Sequence, residues 1–359
     1  MSVLLPAVTA LLALVFGLAL LDQWRERRGG YQLIWAVGML FFATASGSEA
    51  LAALGGWNET LYRTWYLTGA VWTAGWLGLG TCFLLARTRF GYAVALSLFL
   101  AGLFTFLAAR RMPEPAGDAP ILYFIAAGAL AAAVAVETYF QNDRWPALAA
   151  VAVVGATLVS LGLMVTIALP APGFVLDPRT GIPTGELFPA SMRLLTPFMN
   201  VTGSLALILG ALFSAYVFMP KRRVLSYSLD ADQPGDSFLF HLFIAPVAIT
   251  VNFLASLPGA VRALISGQIH SRVPATLLIG VGALVIGGAD TLARFGSTDF
   301  FQLAKLAGVL LLFGGFLVSI EVFREIRIPF TGTVLRRARR ERREMAGAIS
   351  SDQAAGQRS

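Results

Sequence analysis

The sequence predicts an all-α polytopic integral membrane protein, and three observations support this fold class. Hydrophobic residues make up 57% of the 359 residues and charged residues only 13%, whereas a soluble domain carries about 25% charged residues. The mean hydropathy is +0.72. Apolar runs of about 20 residues, enough for a helix to cross a ~30 Å hydrocarbon core, recur along the chain. An ordinary soluble domain does not have this composition.

Nine apolar runs have the length of membrane-spanning helices. They cover residues 3–22, 31–54, 61–86, 92–109, 119–140, 146–169, 193–218, 273–295 and 299–323. No basic segment precedes the first run, which favours a retained helix over a cleaved signal peptide. The predicted organisation has four parts: a seven-helix bundle (1–219), a cytoplasmic linker with an interfacial or re-entrant segment (220–272), a two-helix hairpin (273–323), and a basic, partly disordered tail (324–359).

Basic residues in the short loops predict the orientation, because cytoplasmic loops are enriched in Lys and Arg. The richer side holds nine of them: Arg25, Arg27, Arg28, Arg87, Arg89, Arg144, Lys221, Arg222 and Arg223. The other side holds five: Arg63, Arg110, Arg111, Arg179 and Arg193. We therefore expect the N-terminus outside, the C-terminus inside, and a location in the plasma (inner) membrane of a prokaryote.

The same charge pattern predicts the partners of the chain. The net charge of +7 is concentrated in short loops and the tail, which indicates topology and lipid contact and not nucleic-acid binding. Six arginines of the tail form the densest group: Arg336, Arg337, Arg339, Arg340, Arg342 and Arg343. We expect this group to contact anionic lipid headgroups of the bilayer, or an unknown signalling or transport partner.

The segment 236–272 is apolar enough for a tenth span. A single further crossing would place the arginine-rich tail outside, against the distribution of charge. We therefore expect an in-plane or re-entrant element, broken at Pro246 and at Pro258-Gly259. The alternative is a true tenth helix with inverted topology.

The external loop between Pro170 and Met192 contains "DPRTGIPTGELFP", which is rich in turn residues. This composition predicts a small hairpin that caps the outer face. A plain tether between two helices is the alternative.

Glu49 is an acidic residue inside a predicted span, and such residues usually have a partner or a function. Folding the hairpin of helices 31–54 and 61–86 about its turn places Glu49 opposite Tyr66. Arg63 lies one helical turn from Tyr66 on the same face. We therefore predict a Glu49–Tyr66–Arg63 cluster, either as a satisfied polar group or as a ligand or proton site.

Four further polar or aromatic residues lie inside predicted helices. Trp72, Thr73 and Trp76 follow Tyr66 along its helix near mid-membrane, where they serve either helix packing or a ligand-lining wall. Asn200 carries a buried amide, which requires a specific hydrogen-bond partner.

A second group of charges lies in the last predicted hairpin. Its geometry places Asp290 opposite Lys305, with Arg294 one turn from Asp290. The simplest interpretation is a structural ion pair that joins the two helices; the alternative is part of an ion pathway.

No cofactor or metal is expected, and a catalytic role is less expected than a binding role. The single cysteine, Cys82, excludes a disulfide framework within one chain, and His241 and His270 do not form a facing pair for haem. No hydrolase, metalloprotease or phosphate-binding motif is present.

Two functional classes remain. The first is a sensor or receptor-like protein with a polar pocket toward the outer leaflet. The second is a proton- or cation-coupled transporter of small solutes that uses Glu49.

Overall fold

The computed structural model describes residues 3–112, 116–140, 143–178, 181–225, 244–266, 269–270, 272–293, 298–318, 325–327 and 334–336. Its helices are α1 (Leu4–Arg27), α2 (Gly30–Gly55), α3 (Glu59–Trp65), a π-helical segment (Tyr66–Trp72), α4 (Thr73–Leu84), α5 (Gly91–Ala109), α6 (Ala119–Tyr139), α7 (Trp145–Thr166), α8 (Ala190–Phe218), α9 (Ala245–Ile265), α10 (Arg272–Ala293) and α11 (Thr298–Val318). Two short strands, β1 (Glu325–Arg327) and β2 (Val334–Arg336), pair antiparallel.

All nine predicted helices are present, and the chain is an all-α polytopic membrane protein. In the described ranges, ten helical stretches are long and apolar enough to cross a membrane, with α3, the π-helical segment and α4 counted as one. Local signals explain several helix ends. The side chain of Asn58 caps α3 by accepting from the amide of Leu61 at 3.0 Å. Proline in the first turn, where its missing N–H costs nothing, begins α6 and α7.

The helices form two adjoining rings that share α4 and α8. One ring contains α1, α2, α4, α8, α10 and α11; the other contains α3 to α8. The shared pair lies in close contact, because Gly78 and Gly203 leave no room for a Cβ between the two backbones. The C-terminal hairpin completes the first ring, since Phe313 of α11 stacks on Phe16 of α1 at 5.0 Å between ring centroids.

The two ends of the bundle differ in character. One end, which we call the hairpin end, carries the α2–α3 and α5–α6 turns and the long loop after α7. The opposite end, which we call the arginine end, carries the α1–α2, α4–α5 and α6–α7 turns and the chain that follows α8. The hairpin end is the predicted outer face.

The helix α9 is long and apolar enough to cross between these ends, so its placement depends on the positions of the residues that flank it. The part of the chain that contains α9 starts at the end of α8 and ends at the start of α10. These two points lie together at the arginine end. Arg272 stands over the ring of Phe218, 4.5 Å from its centroid, and His270 stacks on the same ring at 4.9 Å. A single crossing by the segment between α8 and α10 would separate these residues, so their proximity favours the predicted in-plane or re-entrant element over a tenth span.

Within this element, the predicted break at Pro258-Gly259 is wrong. The helix continues through Pro258. Its buried stripe, Ala248, Asn252, Ser256 and Ala260, recurs every four residues. This stripe packs against the last turn of α8, the chain that follows it and the first turn of α10. Tertiary packing on one face therefore holds the helix despite the proline.

The loop after α7 contains the expected hairpin. The amide of Asp177 donates to the carbonyl of Ile182 at 2.8 Å, and the amide of Thr184 donates to the carbonyl of Val175 at 3.1 Å. At its tip, Ile182 packs against the cluster formed by Ala289, Phe301 and Ala304. The loop after α7 therefore covers the first ring at the end that carries the α2–α3 and α5–α6 turns.

Single-cysteine labelling tests the placement of α9. In a Cys82→Ala background, Val224→Cys and Ser266→Cys should react with an impermeant maleimide from the same side of membrane vesicles, because both flank a non-crossing helix. Asp118→Cys, at the hairpin end, is the control and should react from the other side. Labelling of Val224→Cys and Ser266→Cys from opposite sides would show that α9 is a tenth span.

Candidate functional site

Glu49 lies inside α2, six residues before its last residue, which is about 9 Å along the helix axis. Its exposed fraction is only 1%. A carboxylate this deep has no water to solvate it, so protein groups must balance its charge and its hydrogen bonds.

Three donors converge on this carboxylate. Lys305 Nζ lies 2.7 Å from Glu49 Oε2, and Gln302 Nε2 donates to the same oxygen at 2.8 Å. Trp65 Nε1 donates to Oε1 at 2.8 Å. The three partners come from α11 and α3, so one side chain of α2 joins helices that are distant in the sequence.

The helical spacing explains how α11 supplies two of the donors. Gln302 and Lys305 are three residues apart and therefore share a face. Phe301 precedes Lys305 by one turn, and its ring centroid lies 5.1 Å from Lys305 Nζ. On α2, Phe42 lies two turns before Glu49 and contributes a second ring at 5.7 Å. Two aromatic faces thus stabilise the ammonium group beside the carboxylate.

The Glu49–Lys305 pair is an ion pair withdrawn from solvent. Lys305 is 7% exposed and Gln302 2%. The attraction between the charges is offset by the cost of removing both from water, so the pair adds little net stability. Removal of one partner, however, leaves an uncompensated charge at a cost of about 3–5 kcal/mol.

Unused polar atoms lie next to the pair. Among the described side chains, Gln302 Oε1 and Ser46 Oγ are buried without a hydrogen-bond partner. Ser46 lies one turn before Glu49 on α2. Because a buried acceptor without a donor costs free energy, Gln302 Oε1 is a ready acceptor for an incoming N–H or O–H group. No three His, Cys, Asp or Glu side chains converge as metal ligands in the described ranges.

The predicted Glu49–Tyr66–Arg63 cluster is wrong. Tyr66 pairs its hydroxyl with Thr196 Oγ1 at 2.9 Å and packs on Phe188. Folding the hairpin about its turn predicted the contact of Glu49 to within one residue, since Trp65 is its partner on α3. The other partners lie on α11, which no short-range pattern connects to α2.

Arg63 has a structural role at the end of α7. It forms an ion pair with Glu59 at 2.6 Å and donates to the carbonyls of Met164 and Ile167. These carbonyls belong to the C-terminal turn of α7, where a cation also interacts favourably with the helix dipole. Arg63 therefore fixes the start of the external loop.

The aromatic and polar residues of the third span serve packing. Trp72 Nε1 donates to Ser160 Oγ at 2.8 Å, and Trp76 Nε1 donates to Thr157 Oγ1 at 3.1 Å. Both acceptors lie on α7. The two tryptophans therefore join this span to α7, which agrees with the packing interpretation.

Thr73 and Asn200 both bond to carbonyls of the π-helical segment. Thr73 Oγ1 donates to the carbonyl of Thr68 at 2.7 Å, and Asn200 Nδ2 donates to that of Ala70 at 3.1 Å. A π-helix weakens the regular ladder of backbone bonds, and side chains here supply additional donors. Asn200, which is partly buried, thus has the specific hydrogen-bond partner that the sequence predicted.

Lys305 was expected to pair with Asp290. The structure gives Lys305 the carboxylate of Glu49, which the sequence pattern missed. The side chain of Asp290 and the whole of Arg294 lie outside the described residues, as do the tail arginines beyond Arg336. A facing lysine 256 residues away leaves no periodic signal that could identify it as the partner of Glu49.

We compared the chain with family models, curated proteins and solved structures, and none of them matches. The chemistry of the site is therefore the basis for assigning a function.

A substitution at the ion pair should lower the stability of the protein only when it removes one of the two charges and leaves the other. Glu49→Gln and Lys305→Met should each lower stability by about 3–5 kcal/mol, because each leaves one buried charge alone. The double variant should recover much of that loss. Thermal unfolding of the purified protein in detergent measures the effect.

The matched control is Glu59→Gln, which breaks the half-exposed pair with Arg63. It should change stability by less than about 1 kcal/mol. Single variants at Glu49 and Lys305 as stable as this control would contradict a buried pair.

Proposed function

We propose that the chain is a receptor-like membrane sensor whose responding element is the Glu49–Lys305 pair. The observation that carries the proposal is the burial of opposite charges that join α2 to α11 within the membrane part of the bundle. Ionisable residues at such depth are rare and typical of functional sites. Gln302 Oε1, a buried acceptor without a hydrogen-bond partner among the described groups, belongs to a residue that itself bonds to Glu49.

The position of the pair supports access from the predicted outer face. The hairpin after α7 covers this end, and Ile182 at its tip packs on the cluster that contains Phe301. The ring of Phe301 in turn contacts the ammonium of Lys305. A ligand that displaces or orders the hairpin would therefore act directly on the environment of the pair.

The charge balance suggests the class of ligand. A ligand with one charge could pair with Glu49 or with Lys305, but it would leave the other residue alone at high cost. A small zwitterion carries an ammonium for Glu49 and a carboxylate for Lys305, and its ammonium could also donate to Gln302 Oε1. Amino acids and betaines fit this description, with N–H donors only in the former.

The interior below the pair favours sensing over transport. Toward the arginine end, the first ring is filled by apolar side chains from several helices, among them Met39, Phe16, Val309, Leu312 and Phe316. Separation of α2 from α11 would change the packing of this core. We expect the change to reach the arginine end, where a signalling partner would detect it.

A thermal-shift screen tests the sensor proposal. The probes are the twenty amino acids and glycine betaine, added to the purified full-length chain. At least one zwitterion should raise the unfolding temperature, because a ligand at about 100 times its Kd stabilises the folded state by about 2.7 kcal/mol.

The double variant Glu49→Gln/Lys305→Gln should lose this response, whereas Glu59→Gln should retain it. The proposal fails if none of the probes stabilises the wild type, or if the double variant responds equally.

A proton-coupled transporter is the second candidate, and the π-helical segment next to Trp65 favours it. Such segments often occur at functional sites, and here the segment directly follows a partner of Glu49. Glu49 would exchange a proton as the third span changes its local winding.

Proteoliposomes with an internal pH dye test this alternative. When the pH outside the proteoliposomes is lower than the pH inside, the wild type should take up amino acids and acidify the lumen. Glu49→Gln should abolish the acidification, because an amide cannot carry the proton. Equal proton entry in both proteins, or none in the wild type, would argue against coupled transport.

A further inference from the structure

Three consecutive cations, Lys221, Arg222 and Arg223, follow α8 at the arginine end, and all three are exposed. Side chains of α9 hold the backbone of this run and the residues after it. Ser256 Oγ accepts from the amide of Arg222 at 2.8 Å. Asn252 Oδ1 accepts from the amides of Val224 and Leu225 at 2.8 and 2.9 Å, and Asn252 Nδ2 donates to the carbonyl of Leu225 at 2.8 Å.

These bonds give the cationic run a fixed shape. Asn252 and Ser256 are one turn apart on α9, and each is 1% exposed. They are polar residues in an otherwise apolar stripe, and they satisfy backbone groups of the neighbouring segment. Because the backbone is already ordered, a ligand of these cations would lose less conformational entropy on binding.

Positive charge accumulates around this run. Partial burial, together with the nearby charge of Arg223, lowers the pKa of Lys221. Arg272 and His270 gather against Phe218 from the start of α10. The sequence contains no Asp or Glu in 187–229 or 237–289.

At the arginine end, described acidic residues also occur on α1, on α6 and in the α6–α7 connection. They are Asp22, Glu26, Glu137 and Asp143. In the sequence, the nearest carboxylates of the same linker are Asp230, Asp232 and Asp236, which lie outside the described residues.

The outer face of α9 is apolar and exposed. Leu254, Leu257, Val261 and Leu264 recur at helical spacing, with exposed fractions between 38% and 57%. A helix that packs on protein with one face and exposes a continuous apolar face on the other is suited to contact with lipid. Its apolar face would contact acyl chains while the cations after α8 stand at the level of the headgroups.

We propose that Lys221, Arg222 and Arg223, together with Arg272 on the ring of Phe218, bind the headgroup of an anionic phospholipid whose acyl chains lie along α9. The cations complement the phosphate, and the exposed leucines and valine complement the hydrocarbon. Basic pockets beside membrane helices on the cytoplasmic side are suited to such headgroups. This site is separate from the Glu49–Lys305 pair and does not depend on the sensor proposal.

Lipid binding by the purified full-length chain tests this site. The probes are phosphatidylglycerol, phosphatidylcholine and inorganic phosphate, and the readouts are lipid retention in native mass spectrometry and unfolding temperature. Phosphatidylglycerol should be retained and should stabilise the protein. Phosphatidylcholine lacks the net negative charge, and phosphate lacks the acyl chains, so neither should do so.

The triple variant Lys221→Gln/Arg222→Gln/Arg223→Gln should weaken phosphatidylglycerol binding about a hundredfold, since each basic residue near an anionic surface contributes about a factor of five. The side chains are exposed, so the fold should persist. The control is Arg110→Gln/Arg111→Gln, an adjacent pair at the hairpin end, which should bind as the wild type does. Unchanged binding in the triple variant overturns the proposal, and so does equal protection by phosphatidylcholine or by phosphate.

Discussion

The need to neutralise one buried carboxylate shapes half of this bundle. Glu49 is withdrawn from water, so its charge requires a cation and its oxygens require donors. Lys305, Gln302 and Trp65 meet these needs together. As a consequence, α11 must face α2, and the C-terminal hairpin must close the ring between α1 and α8. A different position for that hairpin would leave the charge of Glu49 uncompensated in hydrocarbon.

The remaining contacts follow a common rule of helices in lipid: small residues bring backbones together and polar side chains join them. Gly78 and Gly203 allow α4 and α8 to approach closely. Asn200 and Thr73 bond to the π-helical segment, and Trp72 and Trp76 bond to hydroxyls of α7. Helix packing explains these hydrogen bonds. Among the described ionisable residues, Glu49 and Lys305 form the group that packing alone explains least.

Most of the spans were predictable from the sequence, but only part of the site was. Long apolar runs identify helices because backbone groups in hydrocarbon must bond within the helix. The short α2–α3 connection predicted the contact of Glu49 on the neighbouring helix to within one residue, at Trp65. Arg63 was assigned to Glu49, because the carbonyls at the end of α7 that it caps are not apparent in the sequence.

The sequence by itself determined which segments are helical and which end of the bundle is rich in arginine. Length, hydropathy and charge are local properties, and the membrane acts on each segment separately. Only the tertiary structure decided the partner of Glu49, the closure of the ring and the support that α9 gives to the basic run after α8. Those features depend on residues far apart in the chain, whose proximity results from packing and leaves no periodic pattern.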